Sequence, residues 1–194
     1  MSLVYNIRDN FRGYIFIMSK IIKYFWDFVE SVTFAGALFV FSYLFFFQVP
    51  EVQGSSSYPT LQTRERLILD KISYRFSDPK RGDFVIIYSP NDKNVDFVKR
   101  IIGLPEESIK ISSCQVYING ELLEENYLES GTCTKGGRKI SQNSEFLIPE
   151  NRYVVMGDNR SGSSDSRDFG SIDRADIVGK IIWRIYPFDR IGSF

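Results

Sequence analysis

Apolar positions along the chain follow two patterns that meet near residue 50. Before it they are almost continuous: from Ser31 to Val49 no charge interrupts a run that includes Phe39-Val40-Phe41-Ser42-Tyr43-Leu44-Phe45-Phe46-Phe47. As a helix, nineteen residues at ~1.5 Å each reach roughly 28 Å, close to the thickness of a hydrocarbon core. The run predicts a transmembrane anchor over 31–49. A secretory apolar region is usually shorter, and a core helix seldom carries so many consecutive aromatics. After residue 50 the apolar runs become short and rich in β-branched residues: Arg66–Leu69, Phe84–Tyr88, Phe97–Ile102, Ile109–Ile111, Gln115–Ile118, Tyr153–Met156 and Gly179–Ile185. Pro79, Pro90, Pro105 and Pro149 punctuate them, and the sum predicts an all-β domain of hairpins. Asn119-Gly120, set between Val116-Tyr117-Ile118 and Leu122-Leu123, is the signature of a two-residue hairpin turn.

Three segments follow: an N-terminal basic and aromatic segment over 1–30, the anchor over 31–49, and a folded domain over 50–194. Within the domain, about 127–144 turns polar and glycine-bearing, predicting a surface excursion with no part in chemistry. Arg8, Arg12, Lys20 and Lys23 precede the anchor, whereas no cation follows it until Arg64. By the positive-inside rule the N-terminus is cytoplasmic and the domain extracytoplasmic, a single-pass arrangement in the cytoplasmic membrane. The stretch Tyr14 to Phe28 suits either an amphipathic helix on the inner surface or a cytoplasmic extension of the spanning helix.

Composition narrows the chemistry. With 24 basic and 24 acidic residues among 194, the formal net charge is zero, which gives no footing for a nucleic-acid partner. The apolar fraction of 43% suffices for a core. Two cysteines, Cys114 and Cys133, and no histidine make a zinc site unexpected; no metal or cofactor is expected. In an oxidising compartment those cysteines favour a disulfide over two free thiols.

The absence of histidine also rules out a Ser-His-Asp triad. Yet Val52-Gln53-Gly54-Ser55-Ser56-Ser57-Tyr58-Pro59-Thr60-Leu61 sets three serines in a turn just past the apolar run. A serine nucleophile would then need another base. Lys99, inside the apolar strand Phe97-Val98-Lys99-Arg100-Ile101-Ile102, is the candidate, because desolvation lowers an ammonium pKa toward usefulness. A third stretch, Gly157-Asp158-Asn159-Arg160-Ser161-Gly162-Ser163-Ser164-Asp165-Ser166-Arg167-Asp168-Phe169-Gly170, follows Tyr153–Met156 and suits a loop that orients a catalytic pair.

On these blocks, together with Lys80-Arg81-Gly82-Asp83, the chain resembles the type I signal peptidases, membrane-anchored serine-lysine proteases. Four blocks in the family's order cover most of the chain after residue 50. The resemblance implies a barrel-like β domain behind one transmembrane helix, with Ser56 as nucleophile, Lys99 as general base and Ser163 orienting the lysine. It implies a supporting ion pair between Asp165 and Arg167, with Gly157 and Asp158 in the same loop. It implies the Ser56 backbone N–H as oxyanion donor, and Val52, Leu61, Phe97 and Val98 around the substrate. The implied partners are the lipid bilayer and exported preproteins, cut after small residues at the first and third positions before the bond. A peptidase dedicated to one exported protein, or a non-catalytic precursor-binding module, would carry the same motifs. Three positions depart from the family pattern. Ser57 stands where methionine usually follows the nucleophile and Gly162 where asparagine commonly precedes the orienting serine, while Gly54 replaces a serine that some members aim at the oxyanion.

Overall fold

The computed structural model describes residues 2–90 and 92–194, with side chains described over 18–41, from 48 to 90 and from 92 onward. It divides into two units, 1–45 and 46–194. The first is helix α1, Ser2–Phe46, of which Met18–Phe41 is long and apolar enough to cross a membrane and wholly unburied. This fits a membrane anchor. The helix ends at Phe46, so the apolar run expected to span through Val49 leaves it early. Phe47–Gln48 instead forms strand β1, paired with the next strand, and Pro50 disfavours helical backbone at Val49.

The second unit is built from antiparallel strands, as its alternating runs predict. They are β2 (Arg66–Asp70), β3 (Phe84–Tyr88), β4 (Asp96–Gly103), β5 (Ser108–Ser112), β6 (Gln115–Ile118), β7 (Glu121–Leu122), β8 (Glu145–Leu147), β9 (Arg152–Met156), β10 (Ile172–Asp173), β11 (Ile177–Tyr186) and β12 (Gly192–Ser193). Two short helices, α2 (Ser73–Phe76) and α3 (Ser166–Phe169), join them. The large sheet runs β1-β2-β11-β3-β4-β9-β10, with β12 on β11, and a smaller sheet runs β7-β6-β5-β8. Neither closes into a full barrel. Tyr117 pairs with Leu122 and Ile118 with Glu121, so Asn119-Gly120 is the whole turn, and both residues take positive φ as that turn type demands.

Period-two alternation sends successive side chains of the central strands into different cores. Phe84 and Ile86 of β3 join Leu61, Leu67, Leu69 and Ile181. Val85 and Ile87 point the other way, to Ile101, Tyr153 and Val155. Ile102, Val154 and Met156 reach a third cluster beneath the small sheet, with Ile109, Ile111 and Val116. Burial on both faces explains why these strands read as unbroken apolar runs.

The polar excursion over 127–144 is more than surface. Ile140 is fully buried in the third cluster, and the backbone N–H groups of Lys139 and Ile140 donate to the Arg167 carbonyl. Cys114 and Cys133 are disulfide-bonded, which fixes the start of this segment to the end of the β5–β6 hairpin.

Candidate active site

Strand β4 carries the lysine. Lys99 pairs across the ladder with Val85 and is 2% exposed. Loss of water pushes its amine down to about 8, with Arg167 adding to the fall and Asp165 opposing it. Nζ donates to Ser163 Oγ at 3.0 Å and sits 5.2 Å from the Phe97 ring centroid. Among the described residues its one hydrogen bond is to that hydroxyl.

Ser163 is delivered by the loop between β9 and α3. Asp165, fully buried, caps α3 by accepting from the Arg167 N–H. Its carboxylate also accepts two guanidinium bonds of 2.8 Å from Arg167 and the Gly157 N–H at 3.0 Å. Burial works against this charge, but Arg167 and the Gly157 amide outweigh it and hold the carboxyl below its usual range. Arg167 in turn donates to the Lys135 carbonyl at 3.3 Å. Arg160 ties the loop to Glu125 at 2.9 Å and to Thr134 of the excursion at 2.5 Å. None of these partners of Arg160 was foreseen from sequence, because they lie 26 to 35 residues away.

The serine turn docks on the same loop. Asn159 N–H donates to the Ser56 carbonyl at 3.0 Å, and its side chain donates to the Ser55 carbonyl at 3.0 Å. A β-carbon at Gly157 would collide with both Ser163 Oγ and Ser56 O. Only a residue without one lets the nucleophile turn and the lysine-orienting hydroxyl share that space. Asp158 is bound by Arg100 through bonds of 2.9 and 2.7 Å and accepts from Thr60 Oγ1 at 2.6 Å. From the far side Arg184 holds the Thr60 carbonyl at 2.9 Å and pairs with the buried Glu65. The turn is thus gripped at Ser55, Ser56 and Thr60.

The three serines are not equivalent. Ser57 is buried and its hydroxyl donates to the Val98 carbonyl at 3.2 Å. Ser55 is exposed, with its carbonyl engaged. Ser56 is half-buried and lines a cleft of ≈390 Å³ between residues 50–57 and 94–98. Its hydroxyl makes no hydrogen bond among the described residues.

Of the expected pocket residues, Val52, Phe97 and Val98 line this cleft. Leu61 does not: it is fully buried behind the wall, packed in the core with Leu67 and Phe84, because its N–H is held by the Ser57 carbonyl at 2.9 Å and the turn points it inward. Ser57, at the position that methionine usually holds in the family pattern, also lines the cleft. The Lys80–Asp83 block is a turn into β3, with Asp83 accepting from the Lys80 N–H. It serves the site indirectly, since the Gly82 carbonyl accepts from Arg100 at 2.9 Å.

The chain is similar to known proteins. A probable signal peptidase I-2 from Synechocystis sp. is 39% identical over 73% of this chain and 64% of its own length, so the chain spans just under two thirds of that relative. Signal peptidase IB from Staphylococcus aureus is 35% identical over 71% of this chain and 76% of its own. A crystal structure of a signal peptidase I from Enterococcus faecalis V583 aligns at a TM-score of 0.45, with 30% identity over 54% of this chain and 97% of that one. The model of the family described as signal peptidase, peptidase S26, matches residues 25–186. With most of the domain and part of α1 inside that match, the chain belongs to the signal peptidase family, peptidase S26.

Proposed function

We propose that this protein is a membrane-anchored serine endopeptidase that removes signal peptides from exported preproteins, with Ser56 as nucleophile and Lys99 as general base. The supporting observation is a buried lysine whose only hydrogen-bond partner among the described residues is a hydroxyl, not a carboxylate, next to a serine turn that opens on a cleft. A paired carboxylate would keep the amine protonated; a hydroxyl and a dry wall let it go neutral near pH 8.

Neutral Lys99 takes the Ser56 proton as Oγ attacks the scissile carbonyl carbon, and the resulting oxyanion is met by the Ser56 N–H. The C–N bond then breaks as the ammonium returns its proton to the leaving amine, and an ester remains on Ser56. Water, deprotonated by the same lysine, attacks the ester and frees the serine. No hydrogen bond joins Ser56 Oγ to Lys99 Nζ among the described residues, and catalytic hydrogen bonds commonly tighten only around bound substrate. Ser163 holds the amine in direction, and Asp165 with Arg167 holds Ser163. An extended preprotein segment in the cleft would present its first and third residues before the cut to one wall, where Val52, Phe97 and Val98 favour small side chains. The cations before the apolar helix support a cytoplasmic N-terminus, with the domain on the opposite side of the cytoplasmic membrane, where precursors emerge.

The test is cleavage of a purified preprotein by the full chain in detergent. Ser56→Ala abolishes processing, whereas Ser55→Ala and Ser57→Ala retain it; continued cleavage by Ser56→Ala overturns the assignment.

A further inference from the structure

We propose that Asn159 is a positioning residue that aims the Ser56 backbone N–H at the oxyanion, an inference that rests on the role given to Ser56 above. Asn159 grips two successive carbonyls, Ser56 O through its backbone N–H and Ser55 O through Nδ2, each at 3.0 Å. The orientation of its carboxamide is dictated by its neighbours. Gly162 N–H at 3.1 Å and Ser161 Oγ at 3.2 Å both approach Oδ1; the Gly162 amide is a donor only, so the atom facing it is an acceptor and the NH₂ faces Ser55.

The consequence follows from peptide geometry. The Ser55–Ser56 peptide is planar and trans, so its N–H is antiparallel to its C=O. Two donors fix that carbonyl, Nδ2 of Asn159 from one loop and the Tyr58 N–H at 3.1 Å from the turn itself. Fixing the carbonyl fixes the direction of the Ser56 N–H, which has no partner among the described residues. With Gly54 two positions earlier there is no side-chain hydroxyl at that place to share the load. A donor of this kind helps only if it is already aimed where the charge develops.

Gly162 belongs to the same device. A β-carbon there would stand 2.7 Å from Asn159 Nδ2 and 3.1 Å from its Cγ. The glycine leaves room for the carboxamide to lie across the loop toward Ser55. Gly162→Ala would therefore move the donor group without deleting it.

The experiment measures steady-state cleavage of a synthetic peptide with alanine at the first and third positions before the cut, using the full chain in detergent. Affinity for the matching peptide aldehyde is measured alongside. Ser56 adds reversibly to the aldehyde carbon, its proton passing to Lys99, and leaves an oxyanion in the same place. Asn159→Ala lowers kcat by about tenfold to a hundredfold, leaves KM within about twofold, and weakens the aldehyde in proportion to kcat/KM. The pH midpoint of kcat stays at its wild-type value, because Lys99 is untouched. Asn159→Asp, isosteric but without the donor, loses at least as much, and Gly162→Ala loses less in the same direction. The proposal is overturned if Asn159→Ala keeps kcat and aldehyde affinity. It is equally overturned if the loss comes with a displaced pH midpoint, which would mean that the lysine had moved. Ser56→Ala separates the two levels: if it still cleaves, the catalytic assignment fails; if it is dead while Asn159→Ala is unimpaired, only this inference fails.

Discussion

Lys99 and Arg100 are neighbours on one strand, both buried, yet the fold treats them in opposite ways. Arg100 pairs across the ladder with Phe84 and Lys99 with Val85, so the two project from opposite faces. The guanidinium of Arg100 lies 3.9 Å from the ring centroids of both Phe84 and Tyr127 and forms a two-pronged bond with Asp158. That face compensates the buried guanidinium with a carboxylate and two π faces. On the other face Lys99 is cut off from water with a hydroxyl as its hydrogen-bond partner among the described residues, and that loss of water pushes its amine down to about 8. Of two adjacent basic residues, the guanidinium, which stays charged, is a structural tie, and the ammonium, which burial can strip of its proton, is the base of the proposed mechanism.

Lys99→Met tests the reactive face and should have the largest effect: at least about a thousandfold loss of peptide cleavage, measured by single-turnover kinetics. Substantial residual turnover would remove lysine from the mechanism. The same variant should be no less stable than wild type near neutral pH. The folded pKa of about 8 lies below the ordinary 10.5, so the protonated amine costs the fold up to about 3 kcal/mol. That penalty is complete below pH 8 and is relieved between about 8 and 10.5, where the unfolded chain still binds the proton.

Arg100→Leu should act the other way round. It leaves Asp158 buried with Thr60 as its remaining side-chain donor, and should cost about 3 to 5 kcal/mol in denaturant unfolding, with activity lost only as the fold is lost. A variant that is stable but inactive would mean that the tie serves chemistry directly. Smallest is the pH effect: kcat should rise roughly tenfold between pH 7 and 9 as Lys99 gives up its proton. A profile flat over that range would indicate an amine already neutral, or a step other than proton transfer limiting the rate.

Much of the β framework could be read from local pattern. The runs Phe84–Tyr88 and Gln115–Ile118 coincide with β3 and β6, because burial on one or both faces of a strand leaves a period-two or unbroken apolar trace. The short strands β8, β10 and β12 left no such trace: Glu145–Leu147 has only Phe146 partly inward, and two-residue strands are too brief for a period. Leu61 misled as a pocket residue, since an apolar side chain near a catalytic serine fits a core as well as a cleft. The excursion over 127–144 read as a polar appendage because its anchoring groups are mostly backbone amides, carbonyls and one buried isoleucine, which composition does not distinguish from loop.

Sequence alone narrowed the chemistry: the lack of histidine excludes a Ser-His-Asp triad, and three serines in a turn with a lysine inside an apolar strand point to a serine–lysine pair, of which the family resemblance singles out Ser56. It also determined the apolar helix and the β character, since both are written in local periodicity. Tertiary structure decided which serine is available, by tying the Ser57 hydroxyl to Val98 and turning Ser56 to the cleft. It also decided what each buried cation meets, by bringing Asp158 to Arg100 across 58 residues and Ser163 to Lys99 across 64. A pKa and a hydrogen bond depend on what lies within a few ångströms, and over such sequence separations only the folded chain sets that distance.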